Sequence, residues 1–582
     1  MPSRNEIIIK NVYPEIAGGR YPVKREADRM FRVSADIYSG MPLEVHLKYR
    51  KKHTESSPWQ RVPMKKEDDI RWTGSFPLKE MLGWCQYTIE AKPKSGEKKK
   101  TAYRHVLEIM VEPARARFAA WYEMFHRSQG KLPGRSATFD DMIARLPDIK
   151  KMGFDVIYLP PIHPIGRTNR KGPNNSLTAG PNDPGCPWSV GNEHGGHKAV
   201  NPELGTLDDF RRFARACRKM DIDVALDITT NCSPDHPWIK EHPGWFFHNP
   251  DGSIKYAENP PKKYEDVCPL NLLPEDREEQ WAVLKSILTF WLDQGVDAFR
   301  IDNPHTKPWD FWEWIIREVT REYPGTVFLA EAFTEYDKLE ALSMLGFSQS
   351  YTYFTWRDTK NELIEYLLKF TNSYLKEFLR PNFFVNTPDI HPPFLVHGGR
   401  PAFKLRLALA ATASSLYGMY NGYELLENDK LPYKDELKDS EKYEYKVHDW
   451  DAPGNIKEYI ARLNRIRREN TSLQYTDNLR LYSSTADTVL FYGKTSPDGK
   501  NTVLTAINLD PLNTAGGRIT VPVEDFGISS DEEYEVRELI TDTVHTWKGR
   551  EQYITLDPAV EPAAIYRIEA RPPIAQKKAK AN

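Results

Sequence analysis

Hydrophobic and polar positions follow three successive rhythms along the chain. From residue 6 to residue 111, short segments such as IIIKNVY, MFRVSADIY, PLEVHLKYR, CQYTIEAKP and HVLEIMV alternate apolar with polar residues. Turn-rich pieces such as AGGRYP, SGMP and PKSGEKKK separate them, the pattern of a β-sandwich. From Ala114 the rhythm becomes strand then helix. Strands are predicted at 118–125, 155–160, 223–229, 296–302, 326–332, 349–354, 382–386 and 415–421, with amphipathic stretches such as FDDMIARLPDIKKM and DDFRRFARACRKM between them. Repeated βα units of this kind predict a closed (β/α)8 TIM barrel. Beyond about Tyr475, alternation returns in LRLYSS, TVLFYGK, TVLTAINL and AAIYRIEA, predicting a second sandwich. The expected organisation is an N-terminal sandwich over 1–113, a barrel over 114–474, a C-terminal sandwich over 475–571 and a basic disordered tail over 572–582. Two barrel connections, 161–205 and 231–274, are long and rich in Pro, Gly and Asn, as functional loops are.

Composition narrows the function. Of 582 residues, 80 are Lys or Arg and 82 are Asp or Glu, so no basic excess points to nucleic acid or an anionic membrane. The least polar long stretch, LRLALAATASSLYGMY, contains Arg406 and falls short of a membrane span. Five scattered cysteines make neither a disulfide framework nor a metal site, and Cys186 in PGCPW reads as a small apolar contact. No cofactor is expected, and a cytoplasmic protein is. Aromatics reach 12%, which suits sugar rings and cores alike.

A parallel barrel does its chemistry where its strands end. The fourth strand ends in FRIDNPHTKP, placing Asp302 at its tip with Arg300 two residues earlier on the same face. The fifth ends in FLAEAF with Glu331, and the seventh in FFVNTPD with Asp389. Three carboxylates are thus predicted to share one mouth, where mutual repulsion keeps one protonated unless a cation intervenes. Arg300 is placed to keep Asp302 ionised, leaving Glu331 to hold a proton. An ionised nucleophile beside a protonated acid is the pair that retaining glycosyl transfer requires.

These strand ends resemble those of the α-amylase superfamily, glycoside hydrolase family 13. More closely, the chain resembles the bacterial α-1,4-glucan:maltose-1-phosphate maltosyltransferases, through VYPEIAGGRYPVKR, LPPIHPIGRTNRKGPNN, GGHKAVNPELGTLDDF, AENPPKKYED, FRIDNPHTKP, RPNFFVNTPDI and SEKYEY. The resemblance implies Asp302 as nucleophile, Glu331 as general acid/base and Asp389 as the third acid. It implies maltose 1-phosphate as donor and an α-1,4-glucan as acceptor. Asn259, Lys262, Tyr264 and Asn303 match positions that bind the donor phosphate, and Lys171, Asp266, Lys442 and Tyr443 match positions that contact the maltosyl unit.

The match is not uniform. Asn231 stands where relatives carry Gln, Cys232 replaces the histidine of amylases, and NTPD replaces their NHD, which argues against simple amylase activity. The long helical insertion of the N-terminal domain, which in the family helps form a homodimer, is missing. A hydrolase or phosphate-independent transglycosylase of the same superfamily would use the same three acids. A non-catalytic glucan-binding protein would be expected to lack one of them.

Overall fold

The computed structural model describes residues 6–52, 57–95, 100–259, 262–432 and 434–569, apart from the side chains of Asn259 and Lys262. The tip of the Lys-rich turn before Lys100 and the basic tail lie outside the described residues.

Eight parallel strands form the central sheet: β1 (Ala119–Glu123), β2 (Val156–Leu159), β3 (Asp223–Ile228), β4 (Ala298–Ile301), β5 (Val327–Ala330), β6 (Gln349–Ser350), β7 (Asn382–Phe384) and β8 (Leu416–Tyr420). Their spatial order is β6-β5-β4-β3-β2-β1-β8-β7, and a parallel bridge from Ser350 to Pro381 joins the two ends into a barrel. The eight strands correspond to the eight predicted from sequence, trimmed at their ends. One helix follows each strand: α1 (Phe139–Met152), α2 (Leu207–Lys219), α3 (Arg277–Gln294), α4 (Trp309–Glu322), α5 (Tyr336–Leu345), α6 (Lys360–Thr371), α7 (Pro393–Ala413) and α8 (Lys457–Glu469). Three of these helices start at the same local device. Thr138, Thr206 and Thr359 cap the amide of the third helical residue, and the acid there, Asp141, Asp209 or Glu362, reaches back to the cap.

Strand alternation divides the barrel wall into two faces. On β4, Phe299 and Ile301 point outward into the main core, while Ala298 packs inside with Val156, Ala225, Val327 and Leu329. Phe384 fills the interior beside Gly418, where an added Cβ would lie 2.4 Å from its ring. Inward-facing positions therefore begin apolar and turn polar toward the carboxyl ends of the strands.

Two sheets precede the barrel. One runs Ile8–Tyr13, Met30–Tyr38, Arg71–Pro77, Lys65–Lys66; the other runs Val23–Glu26, Leu107–Glu112, Gly83–Pro93, Leu43–Lys51, Gln60–Pro63. They meet α4 through Trp84, whose indole donates to Thr320 at 3.0 Å, and through Arg317 on Glu108 at 2.9 Å. After the barrel, a six-stranded sheet packs on the pair Ala515–Thr520 and Glu551–Leu556 around Phe491, Leu504, Ile519 and Ile554. Its Lys494 donates to the carbonyls at the end of α7, 3.1 Å from Thr412 and 3.0 Å from Ala413. Among the described residues no helix is long and apolar enough to cross a membrane.

Candidate active site

At the carboxyl ends of the strands lies a cavity of about 700 Å³, with Asp302, Glu331 and Asp389 in its lining. Arg300 organises its floor. Asp227 and Arg300 are direct partners across β3 and β4, so their side chains share the interior face, and Nη1 lies 2.9 Å from Asp227 Oδ2. The same Nη1 is 3.0 Å from Asp302 Oδ1, and Nη2 is 2.8 Å from Glu331 Oε1. The guanidinium thus binds three carboxylates instead of serving Asp302 alone. A planar cation with five donors can do this where a lysine could not.

One cation cannot neutralise that many acids. Burial pushes the Glu331 carboxyl up to about 8, Arg300 opposing and Asp302 and Asp389 adding repulsion. Burial likewise raises Asp227 to about 7, against the pull of Arg300. Glu123, at the end of β1, is pushed well above the carboxylate range by burial, with Arg300 opposing. In the sequence it lies within WYEMF of the predicted strand 118–125. At neutral pH Glu331 therefore carries a proton, although it touches Arg300 as closely as Asp302 does.

Asp302 is held from three further sides. Thr229 Oγ1 donates to Oδ2 at 3.1 Å, while the amides of Asn231 and Asn303 approach at 3.4 Å. Asn303 is in the left-handed region at φ 45°, which turns its backbone N–H onto Glu331 Oε2 at 3.1 Å. Asparagine is among the few side-chain-bearing residues that visit this region readily.

Asp389 pairs with the Lys442 ammonium, which also sits 5.0 Å from the Trp188 ring centroid. Burial works against the Lys442 cation, but Asp389 together with Tyr443, Cys186 and Glu436 outweighs it and holds its pKa well above the ordinary lysine value. Trp188, from the long loop after β2, and Tyr158 donate to Asp227 Oδ2 at 3.2 and 2.5 Å. Lys171 is buried and donates to Glu265 Oε2 at 2.5 Å. Asp266 is buried in the cavity lining, pushed up to about 6 by that burial with Lys171 opposing. Tyr264 and Tyr443 complete this side, and burial raises the Tyr264 hydroxyl to about 12. Asn259 and Lys262 pair as neighbours in the hairpin Ala257–Asn259 and Lys262–Tyr264, while their side chains lie outside the described residues. Lys307, not singled out from sequence, also lines the cavity; burial draws its ammonium down to about 8, with Asp302 opposing.

Among the described residues His197, Cys232 and His236 bring two ring nitrogens and a thiol within 4.8 Å of one another. His236 Nδ1 accepts from the Trp238 amide at 3.1 Å, so Nε2 bears the ring proton and faces the group as a donor. His197 Nε2 binds the Thr229 carbonyl at 3.1 Å, leaving Nδ1 as an acceptor. Neither His236 Nε2 nor His197 Nδ1 has a hydrogen-bond partner among the described residues, and the two rings are tilted by 51° with centroids 5.2 Å apart. An added Cβ on Gly191 or Gly196 would come within 2.2 or 2.1 Å of His236. The cluster thus braces the Asn231–Cys232 strand beside Asp302.

The closed parallel barrel, with acids converging at its carboxyl end, defines an enzyme barrel of the α-amylase class. Residues 121–283 match the α-amylase catalytic domain, 5–116 match domain N/S of α-1,4-glucan:maltose-1-phosphate maltosyltransferase, and 481–568 match a C-terminal domain described as GLGE. The α-1,4-glucan:maltose-1-phosphate maltosyltransferases of Chlorobaculum tepidum and Myxococcus xanthus are each 42% identical to the chain, over 97% of it and 97% of their own length. That of Rhodospirillum rubrum is 54% identical over 79% of the chain and 67% of its own length. An α-amylase crystal structure from Lactobacillus plantarum shares the fold with a TM-score of 0.61 at 22% identity, covering 78% of this chain and 99% of that one. The chain belongs to the α-1,4-glucan:maltose-1-phosphate maltosyltransferase family.

Proposed function

We propose that the protein transfers maltosyl units from α-maltose 1-phosphate to the non-reducing end of an α-1,4-glucan, with retention and release of phosphate. The observation that carries this reading is that one guanidinium contacts the carboxyls of both Asp302 and Glu331 in a cavity also lined by Tyr264, Asn303, Asp389 and Lys442. Arg300 contacts both Asp302 and Glu331, yet burial raises Glu331 to about 8. Asp302 attacks the anomeric carbon, the bond to the phosphate oxygen breaks, and a covalent maltosyl ester forms. Phosphate departs with the bonding electrons and the proton of Glu331. The Glu331 carboxylate then takes the proton of the acceptor 4-OH as that oxygen attacks, and the ester bond to Asp302 breaks.

Asp389, held by Lys442, grips sugar hydroxyls in the distorted ring, with Lys171, Asp266 and Tyr443 around the maltosyl unit. Asn259, Lys262, Tyr264 and Asn303 receive the phosphate. Support for this assignment comes from the shared cavity lining of Tyr264, Asn303, Asp389, Lys442 and Tyr443. Five free, buried cysteines fit a reducing cytoplasm. The family resemblance favours a homodimer and the missing N-terminal helical insertion opposes it; sedimentation equilibrium decides between dimer and monomer. The decisive assay for the activity is incubation with maltose 1-phosphate and maltohexaose. Products growing by two glucose units with stoichiometric phosphate release are expected; sugar release from amylose without added phosphate donor would contradict the reading.

A further inference from the structure

The acids that would act on the donor lie at the buried floor of the cavity, Asp302 being 9% and Glu331 8% exposed. Its mouth has different chemistry. Phe247 is 45% exposed, and among the described residues it is the one exposed large hydrophobic side chain in the cavity lining. Its neighbour Phe246 is buried in the main core, bridged to Leu270, so strand alternation turns Phe247 to the opposite side. A hairpin holds it there: the Lys255 amide donates to the Phe247 carbonyl at 2.8 Å, and the Asn249 amide to the Ser253 carbonyl at 2.8 Å. Its ring stacks on no other aromatic ring among the described residues. Lys255 and Glu258, from the same loop, also line the cavity.

We infer that Phe247 is an acceptor-binding platform, on which a glucose ring of the incoming α-glucan packs while its edge hydroxyls meet Lys255 and Glu258. The inference rests on the transferase reading above. A pyranose ring has an apolar C–H face and a polar edge, and a solvent-facing aromatic plate in a cavity also lined by charged groups complements both. The ring itself offers a phosphate no hydrogen-bond donor, and the phosphate is already assigned to Asn259, Lys262, Tyr264 and Asn303. The donor therefore belongs to the polar floor and the acceptor to this mouth.

The test separates the two half-reactions. Wild type and Phe247→Ala are mixed with maltose 1-phosphate alone, and the maltosyl-enzyme is timed by intact mass; maltohexaose is then added, and transfer is compared with hydrolysis of the same adduct. Adduct formation and hydrolysis are expected to stay at wild-type rates. The kcat/KM for maltohexaose should fall about three- to tenfold, the range that an aromatic contact supplies, and Phe247→Tyr should restore it. Unchanged transfer in Phe247→Ala, or equal loss of adduct formation and transfer, overturns the platform. A wild-type enzyme that forms no adduct removes the underlying reading itself.

Discussion

The backbone N–H of Asn303 donates to Glu331 Oε2 at 3.1 Å, so the residue following Asp302 also positions the neighbouring acid. That contact depends on φ 45° at Asn303. Asn303→Gly keeps this backbone geometry and should fold normally, losing only the side-chain amide and hence donor affinity. Asn303→Val forces a β-branched residue into the left-handed region, and should cost about 1–3 kcal/mol of stability and lower kcat as well. Urea unfolding with steady-state kinetics on both variants distinguishes the two effects.

Glu331 has a folded-state pKa raised from 4.5 to about 8 by burial. The folded chain therefore binds a proton that the unfolded chain has released across that interval. The associated stability is fully present below about pH 4.5 and is lost as pH rises through about 8. Glu331→Gln has no proton to lose. Its Tm relative to wild type should rise steadily from pH 5 to pH 9, measurable by calorimetry.

Arg300 holds Asp227, Asp302 and Glu331 at 2.8–3.0 Å, with its own side chain 5% exposed. Arg300→Met leaves those acids buried without a counter-charge. A loss of about 3–5 kcal/mol is expected at neutral pH, shrinking at pH 5 as the carboxylates bind protons. The urea midpoint at the two pH values measures it.

His448 is buried between two acids, with Nδ1 2.6 Å from Glu427 and Nε2 3.5 Å from Glu441. Burial opposes its charge, but the hydrogen bond to Glu427 and the negative charges of Glu427 and Glu441 together prevail and raise its pKa from 6.5 to about 9. The stability this contributes is complete below pH 6.5 and disappears as pH rises through about 9. The deficit of His448→Gln relative to wild type should therefore be largest at pH 6 and shrink between pH 7 and pH 9. Glu441 adjoins Lys442, so the variant should also weaken donor binding through the loop that delivers Lys442 to Asp389. Urea titrations across pH and donor KM measure the two consequences.

Much of this arrangement is legible in the sequence because barrel strands impose a period of two and end at the site. Arg300 and Asp302 share a face for that reason and Glu331 directly follows β5, whereas Asp389 lies beyond the end of β7, in the turn closed by the Thr387–Ile390 bridge. What was not legible comes from contacts between distant, aperiodic segments. Trp188 reaches Asp227 from a loop without regular alternation, and Lys171 finds Glu265 ninety-four residues away. Glu123 hides in an apolar strand because its neighbours outside the barrel are core. Phe246 and Phe247 look alike in sequence, and only the bridge to Leu270 tells which one faces the cavity.

The account stands on Asp302 forming the covalent bond and on phosphate being a good enough leaving group that losing the Glu331 proton slows this step less than losing its carboxylate slows attack by the acceptor. Intact-mass spectrometry of Asp302→Ala and Glu331→Ala after mixing with maltose 1-phosphate tests it most directly. Glu331→Ala should accumulate a maltosyl adduct and Asp302→Ala should show none. Equal labelling of both variants, or an adduct only on Asp302→Ala, would contradict it.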